Sequence, residues 1–146
     1  MALKVRLRAG ERLAINGAVI RNTSSRTAEL EVLNEATLLQ ERDIMLPEQA
    51  DTPVKTLYLL TQQMHLEPHR YEEHYKSFIQ LSSETFASAF GAGDKETGNV
   101  VMELVGLIGE RNHIAALRRL QKLFGRPGDS RKAGSGQEQA SPVEPD

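Results

Sequence analysis

An alternation of apolar and charged side chains at the start of the chain predicts an antiparallel β-sheet. In residues 3–8, Leu, Val and Leu alternate with Lys, Arg and Arg, which is the period of two of a strand with one apolar and one basic face. A second alternation covers residues 26–33, and residues 38–39 predict a short further strand. Such a small sheet needs a cover over its apolar face to be stable.

Asn16 and Gly17 stand between two apolar runs and predict a two-residue hairpin turn. A type I′ turn needs a positive φ at both central positions, and Asn and Gly tolerate it. With this loop length Arg12 faces Arg21 across the ladder, where like charges are unfavourable, so the pair is a candidate anion site. The apolar side chains that would share the opposite face are Leu13, Ile15, Ala18 and Ile20.

Helical spacing of apolar residues begins at Thr52, where a Thr cap and a following Pro are typical of a helix start. This first helix ends before Pro68, a second ends near Phe90, and two more cover about 96–108 and 111–124, with Gly109 as the cap between them. Their short link predicts an antiparallel pair. The side chains expected on the buried faces of the last three helices are Tyr71, Tyr75, Phe78, Ile79, Ser82 and Phe86, then Val101, Leu104, Val105 and Ile108, and then Ile114, Leu117, Leu120, Leu123 and Phe124.

These elements predict an α+β protein, with a small N-terminal antiparallel β-sheet followed by a bundle of about four helices. The sheet region would occupy residues 1–46, and the helical region that packs on it residues 52–125. Residues 126–146 are rich in Pro, Gly, Ser, Gln and Glu, so we expect a disordered tail there.

Composition narrows the class of protein. The 146 residues contain no cysteine, which excludes disulfides and thiol chemistry and suits a reducing cytoplasm. No segment reaches the roughly 20 apolar residues of a membrane span, so no membrane association is expected. Residues 1–26 have six basic side chains and one acidic, a net charge of +5, whereas the remainder has 12 basic and 19 acidic, a net charge of −7. This polarity suggests a surface for a polyanion.

Histidines offer the nearest approach to a metal site. His65 and His69 have the spacing of two ligands on one helix face, and His74 follows them, but Pro68 ends the helix between the first two. Solvated histidines are therefore the preferred interpretation. Neither a P-loop, a nucleophile elbow nor a dinucleotide fingerprint is present, so we expect no catalytic residue, metal or cofactor.

The basic strands are the better candidate site. Arginine suits bidentate phosphate contacts and stacking on bases, whereas a simpler interpretation is that the charges only solvate the sheet and protect its edge. Residues 1–57 contain no aromatic residue, which excludes an RRM-like stacking platform. Binding would rest on phosphate contacts, arginine stacking and hydrogen bonds from Asn22. The candidate phosphate ligands are Lys4, Arg6, Arg8, Arg12, Arg21 and Arg26.

Several short motifs occur in order along the chain. They are Gly10-Glu11-Arg12, Asn16-Gly17-Ala18-Val19-Ile20-Arg21-Asn22, Glu41-Arg42-Asp43-Ile44 and Ala50-Asp51-Thr52-Pro53, followed by Tyr58 and Gln62. Over about residues 2–124 the chain thereby resembles the FlbT family of flagellin post-transcriptional regulators. The resemblance implies association with the 5′ untranslated leader of flagellin mRNA, promotion of its degradation, and a small partner, FlaF, of opposing role. Family members differ in whether they repress or activate flagellin.

The segment from Leu7 to Ile20, with its Arg-x-Gly-Glu-x-Leu-x-Ile order, is also similar, more weakly, to the start of the carbon-storage regulator family. Those proteins bind mRNA leaders through a basic first strand and the basic end of a late strand. By position this implies Lys4, Arg6 and Arg8, and approximately Arg42. A homodimer through exchanged strands is a further alternative that this similarity raises.

Two hypotheses remain. In the first, the chain is a nonenzymatic cytoplasmic RNA-binding repressor in which Arg12 and Arg21 clamp phosphate and the other basic residues extend the track. In the second, it is a protein–protein module that acts on FlaF, flagellin or a secretion chaperone through its helices, without direct RNA contact.

Overall fold

A computed structural model describes residues 3–129 and confirms the α+β class. The five strands are Leu3–Leu7 (β1), Arg12–Ile15 (β2), Ala18–Arg21 (β3), Ala28–Val32 (β4) and Leu38–Gln40 (β5). The four α-helices are Pro53–Leu66 (α1), Tyr71–Ala92 (α2), Lys95–Gly109 (α3) and His113–Phe124 (α4). Short 3₁₀ turns occupy Glu41–Asp43, Pro47–Gln49 and Pro68–Arg70.

The strands form two antiparallel sheets. β1 pairs with β4 in a two-stranded ribbon, and β2 lies between β3 and β5 in a three-stranded sheet. Leu13 of β2 packs with Val5 and Leu7 of the ribbon, whereas Ala14 belongs to the main helical core and has no exposed surface. Both faces of β2 are therefore buried.

The elements that cover the two faces of the sheet differ from the prediction. The helices were expected on the apolar face that Leu13 shares with Ile15, but the β1–β4 ribbon occupies that face. The helices instead cover the face of Ala14, the one on which Arg12 also lies, because alternate residues of a strand share a face. A small side chain at position 14 lets the helices approach the strand closely. Ala18 and Ile20 of β3, expected on the covered face, are exposed.

The predicted hairpin is confirmed in turn type and register. Asn16 has φ 50° and Gly17 has φ 91°, and Arg12 is the cross-strand partner of Arg21. The Asn16 side-chain oxygen accepts a hydrogen bond from the Thr37 N–H at 2.9 Å. The turn is thus tied both to its own strands and to the segment before β5.

Gly17 also lies against the end of α1, which gives a first prediction. A Cβ at this position would come within 3.1 Å of the Leu66 carbonyl oxygen, whereas a Cβ at Gly10, which has φ +78°, would meet nothing within 4 Å. Because both glycines have positive φ, both alanine variants carry the strain of the left-handed region. We expect Gly17→Ala to lower the free energy of unfolding by about 0.5–1 kcal/mol more than Gly10→Ala, measured by urea denaturation. Equal losses would show that the contact with α1 is easily relaxed.

The start of α1 was predicted correctly, but on each of the other three helices some side chains that were expected to be buried are exposed. Thr52 caps α1 through its side chain, as predicted, and Asp94 caps α3 in the same way. On α2 the buried polar and apolar residues lie around Phe78, while Ile79 and Phe86 are 37% and 36% exposed. The helix packs along a face rotated from the predicted stripe. The other side chains that were expected inside but are exposed are Val105 and Ile114.

The α3–α4 connection also differs from its prediction. Gly109 is still helical, and the residue that adopts the left-handed conformation is Arg111, with φ 58°. Asn112 then caps α4 by accepting the Ala115 N–H through its side chain at 3.3 Å. Position 111 is therefore occupied by an arginine, although its backbone conformation is one that glycine adopts more readily.

Residues 126–129 pack on the segment after β5, although they were assigned to the disordered tail. The Gln49 amide donates to the Pro127 carbonyl at 3.1 Å. Gly128 lies so close to the Arg42 backbone that a Cβ would collide with its Cα. The remainder of the predicted tail, residues 130–146, lies outside the described part of the chain.

Candidate nucleic-acid interface

The backbones of four of the predicted basic residues lie close together at one end of the hairpin. Arg12 and Arg21 are directly opposite each other in the β2–β3 ladder, the first half-buried and the second exposed. Arg8 and Arg26, both exposed, reach the same place because Asn22, the residue after Arg21, hydrogen-bonds to both of their carbonyls, at 3.1 and 2.8 Å. We call Arg8, Arg12, Arg21 and Arg26 the arginine cluster.

Asn22 is the structural centre of this cluster. Its amide nitrogen also donates to the Leu7 carbonyl at 2.9 Å, and its side-chain oxygen accepts from the N–H and hydroxyl of Ser24. The Asn22 backbone exchanges hydrogen bonds with Gly10 and Glu11. Its amide therefore fixes the backbone at Arg8 and Arg26, a role that the sequence does not indicate.

The other predicted ligands on β1 share their face with acidic residues. Lys4 is the cross-strand partner of Glu31, and Arg6 is that of Glu29. Opposite charges on facing positions stabilise an antiparallel pair, so this face of the ribbon carries both signs. The positive charge is thus concentrated at the arginine cluster rather than spread along β1.

Arg42 follows β5, the strand that pairs with β2 on the edge opposite β3. It is exposed in the 3₁₀ turn after β5, and its neighbour Glu41 accepts the Arg12 backbone N–H through its carboxylate at 2.6 Å. The turn therefore holds the edge of β2, and it places a carboxylate beside Arg12. Glu11, which accepts the Arg8 N–H at 2.8 Å, is the second acidic neighbour of the cluster.

A buried polar junction joins this turn to the helices. Asp43, only 3% exposed, accepts hydrogen bonds from Gln121 at 3.0 Å and Arg126 at 2.9 Å, and Arg118 lies 3.1 Å from the same carboxylate oxygen. The Tyr58 hydroxyl donates to the Asp43 carbonyl at 2.6 Å, and burial raises the pKa of Tyr58 far above its ordinary value.

A second contact of the same kind lies nearby. The Gln62 side chain accepts the Met45 N–H at 2.7 Å and donates to the Met45 carbonyl at 3.1 Å. Asp43, Tyr58 and Gln62 are residues of the motifs that carry the family resemblance. Their task in this structure is to attach the segment after β5 to α1. The residue types at these positions were noted from sequence, but their mutual contacts were not predicted.

Histidines and tyrosines meet at the other end of the helical layer. The Tyr71 hydroxyl lies 2.9 Å from His113 Nε2, and the His65 ring lies 5.9 Å from that of His113. Burial, together with the charges of His65 and Arg111, lowers the pKa of His113 to about 4. Burial also lowers the pKa of His65.

The other two histidines that were weighed as metal ligands are separated, and His74 is buried rather than solvated as expected. His69 is exposed in the 3₁₀ turn, and His74 pairs with Glu67 at 2.8 Å, a contact that lowers the pKa of that carboxyl. Within residues 3–129 no group of three or more His, Cys, Asp or Glu side chains is arranged to hold a metal ion. In the same range no helix has both the length and the apolar character to cross a bilayer.

Comparison with known proteins identifies the family. The profile of the family described as "Flagellar protein FlbT" matches residues 3–126. The "Probable flagellum biosynthesis repressor protein FlbT" of Brucella anthropi is 39% identical over 104 residues, which cover 71% of this chain and 67% of the relative. The protein of the same description from Brucella ovis is 40% identical over the same shares. No solved structure matches. With a family profile that spans both the arginine cluster and the polar junction, this chain belongs to the FlbT family of flagellar proteins.

Proposed function

We propose that this protein is a nonenzymatic repressor of flagellin synthesis that binds the 5′ untranslated leader of flagellin mRNA in the cytoplasm and promotes its degradation. The observation that carries the proposal is that four arginines occupy neighbouring backbone positions around Asn22. Guanidinium groups match the geometry of phosphate oxygens, and the four that would bind here extend from neighbouring backbone positions. The curated relatives named above are described as repressors of flagellum biosynthesis, which agrees with the direction of regulation.

The arginine cluster would supply the phosphate contacts, with Arg12 and Arg21 as a clamp. Lys4 and Arg6 would contribute less, because glutamates face them across the ribbon. Arg42, the residue after Glu41, would add a further phosphate contact. The helical layer would receive a FlaF-type partner.

Charge reversal of the clamp tests this function. We expect Arg12→Glu/Arg21→Glu to abolish specific binding to the flagellin leader and to reduce the slope of log affinity against log salt by about 1.4, since each lost single-strand phosphate contact removes about 0.7. The matched control is Lys76→Glu/Lys122→Glu, which changes the net charge equally at two exposed helical positions. Binding would be measured by fluorescence anisotropy against the leader and a scrambled RNA. Equal binding by the two double variants would contradict the proposal.

A protein–protein module is the second candidate, and one observation favours it. Phe90 and Met102, on neighbouring helices α2 and α3, are 79% and 61% exposed. Large exposed apolar side chains often mark partner surfaces. If Arg12→Glu/Arg21→Glu left flagellin levels in cells unchanged, regulation would run through this helical surface instead.

A further inference from the structure

A cationic and aromatic surface lies apart from the arginine cluster, where α2, α3 and α4 meet. Its members, which we call the tyrosine patch, are Tyr71, Tyr75, Arg111 and His113. We propose that the tyrosine patch binds an unpaired base of an RNA strand by stacking. This inference rests on the proposed function, because it assigns to the same RNA a second point of contact.

The rings and the guanidinium are already arranged in layers. The Arg111 guanidinium carbon lies 3.9 Å from the centre of the Tyr71 ring. The Tyr75 ring is 6.2 Å from that of Tyr71, centre to centre, and the two planes differ by 16°. Both tyrosines are half-buried and Arg111 is exposed, so the patch is fixed by packing but open to solvent. Aromatic faces and arginine planes are the groups on which proteins stack unpaired bases.

The backbone of Arg111 holds its side chain in this position. Its φ of 58° lies in the left-handed region, where a glycine would be more stable. A strained residue of this kind needs surrounding structure to maintain it and often belongs to a functional site. Within residues 3–129 no carboxylate forms an ion pair with Arg111, so its charge is available to a phosphate group beside a stacked base.

The imidazole groups beside the tyrosines favour binding of a base over binding of a phosphate group. His113 contacts the Tyr71 hydroxyl at 2.9 Å, and its ring stands edge-on to the Tyr71 ring at 5.4 Å. With a pKa of about 4 it is a neutral ring at physiological pH. A neutral imidazole can both stack and exchange hydrogen bonds with the edge of a base.

The tyrosine patch is joined to the hairpin that carries the arginine cluster. His65, next to His113, lies 3.3 Å from the Leu38 carbonyl of β5, and Gly17 at the hairpin tip lies against the end of α1. The strand between the tip and Arg12 has four residues, about 13 Å at 3.3 Å per residue. One single strand of RNA could thus contact arginines at one end of the hairpin and the tyrosine patch near the other.

The chain provides its own reporter for a test. It contains three tyrosines and no tryptophan, and Tyr58 has no exposed surface, so a base that stacks on the patch quenches emission from Tyr71 and Tyr75. The probes are a 12-nucleotide oligoadenylate and an abasic oligonucleotide of the same length, which has the phosphates without the bases. We expect the wild type to bind oligoadenylate about tenfold more tightly, with quenching of tyrosine fluorescence.

Two variants locate the base contact. Arg111→Gly removes the guanidinium and suits the local backbone, so it should fold at least as well as the wild type; Tyr75→Ala removes one ring, and Tyr75→Phe is its conservative control. We expect the first two to lose the tenfold preference, which anisotropy measures, and Tyr75→Phe to keep it. If Arg111→Gly and Tyr75→Ala kept the preference, this inference alone would be overturned. If the wild type bound neither oligonucleotide nor the flagellin leader, the proposed function would fail, and the inference with it.

Discussion

Asp43→Asn is expected to lower the free energy of unfolding by about 2–3 kcal/mol. The carboxylate is nearly inaccessible and receives a hydrogen bond from Arg126 and an ion pair from Arg118, while Gln121 donates to the same oxygen. Asparagine keeps the shape of the side chain but removes the charge, so both guanidiniums lose their counterion. Because the Asp43 carboxylate itself is buried, its attraction to the two guanidiniums is screened less by solvent than that of a surface pair. Urea denaturation followed by circular dichroism measures the loss.

A chemically identical change at the surface serves as its control. Asp51 pairs with Lys55 at 3.5 Å, but its side chain is 71% exposed. Because exposed ion pairs contribute little, Asp51→Asn should change the free energy of unfolding by less than about 0.5 kcal/mol. Similar losses in the two variants would mean that burial of the Asp43 carboxylate adds nothing to its contribution.

Asp43 also contributes indirectly to the candidate RNA-binding site. Asp43 belongs to the turn whose first residue, Glu41, accepts the Arg12 N–H, so the polar junction fixes the edge of β2 relative to α1 and α4. Arg12 is half of the proposed phosphate clamp, whereas the Asp43 carboxylate bonds to Gln121, Arg118 and Arg126. We therefore attribute to the junction a positioning role, which explains why the motif residues Asp43 and Tyr58 lie away from the candidate interface.

Local features of the fold could be predicted because the residues that cause them are adjacent in sequence. Asn16 and Gly17 determined the turn and the register of Arg12 with Arg21, and both are confirmed. Thr52 marked the start of α1 for a similar reason, since a cap bonds within one turn of its own helix. Such signals need no knowledge of the rest of the molecule.

Features that depend on distant partners could not be predicted. The face of β2 that packs on the helices was predicted wrongly. Leu13 and Ala14 both suit an apolar layer, and only the position of the β1–β4 ribbon decides which of them faces the helices. Gln121 and Arg126 follow Asp43 by 78 and 83 residues, and periodicity carries no information about such contacts.

Only part of the candidate site could be predicted, again because some of its contacts join residues that are distant in sequence. The facing pair of Arg12 and Arg21 followed from the hairpin alone, but the pairing of β1 with β4, which sets glutamates opposite Lys4 and Arg6, joins strands about 25 residues apart. Tyr71 and Arg111 are about 40 residues apart, and no local pattern connects them. Their contact requires α2 and α3 to pack antiparallel.

Acid is expected to destabilise the protein through His113. Its pKa is about 4 in the folded chain, against 6.5 for an unperturbed histidine, so the unfolded chain binds a proton that the folded chain does not. The stability that depends on the neutral ring is complete above pH 6.5 and is lost as the pH falls toward 4. Since the ring is half-buried and partly screened by solvent, we expect a loss of about 1–2 kcal/mol between pH 7 and 4.5.

Comparison of variants separates this contribution from that of the carboxyl groups. His113→Gln removes the titrating ring from its contacts with Tyr71, His65 and Arg111, so its stability should fall by about 1–2 kcal/mol less than that of the wild type over the same pH range. His69→Gln, at an exposed position, should follow the wild-type curve. Urea denaturation at half-unit steps of pH measures all three. Parallel curves for His113→Gln and the wild type would show that His113 is protonated equally in both states, and that the tyrosine patch does not hold it as a neutral ring.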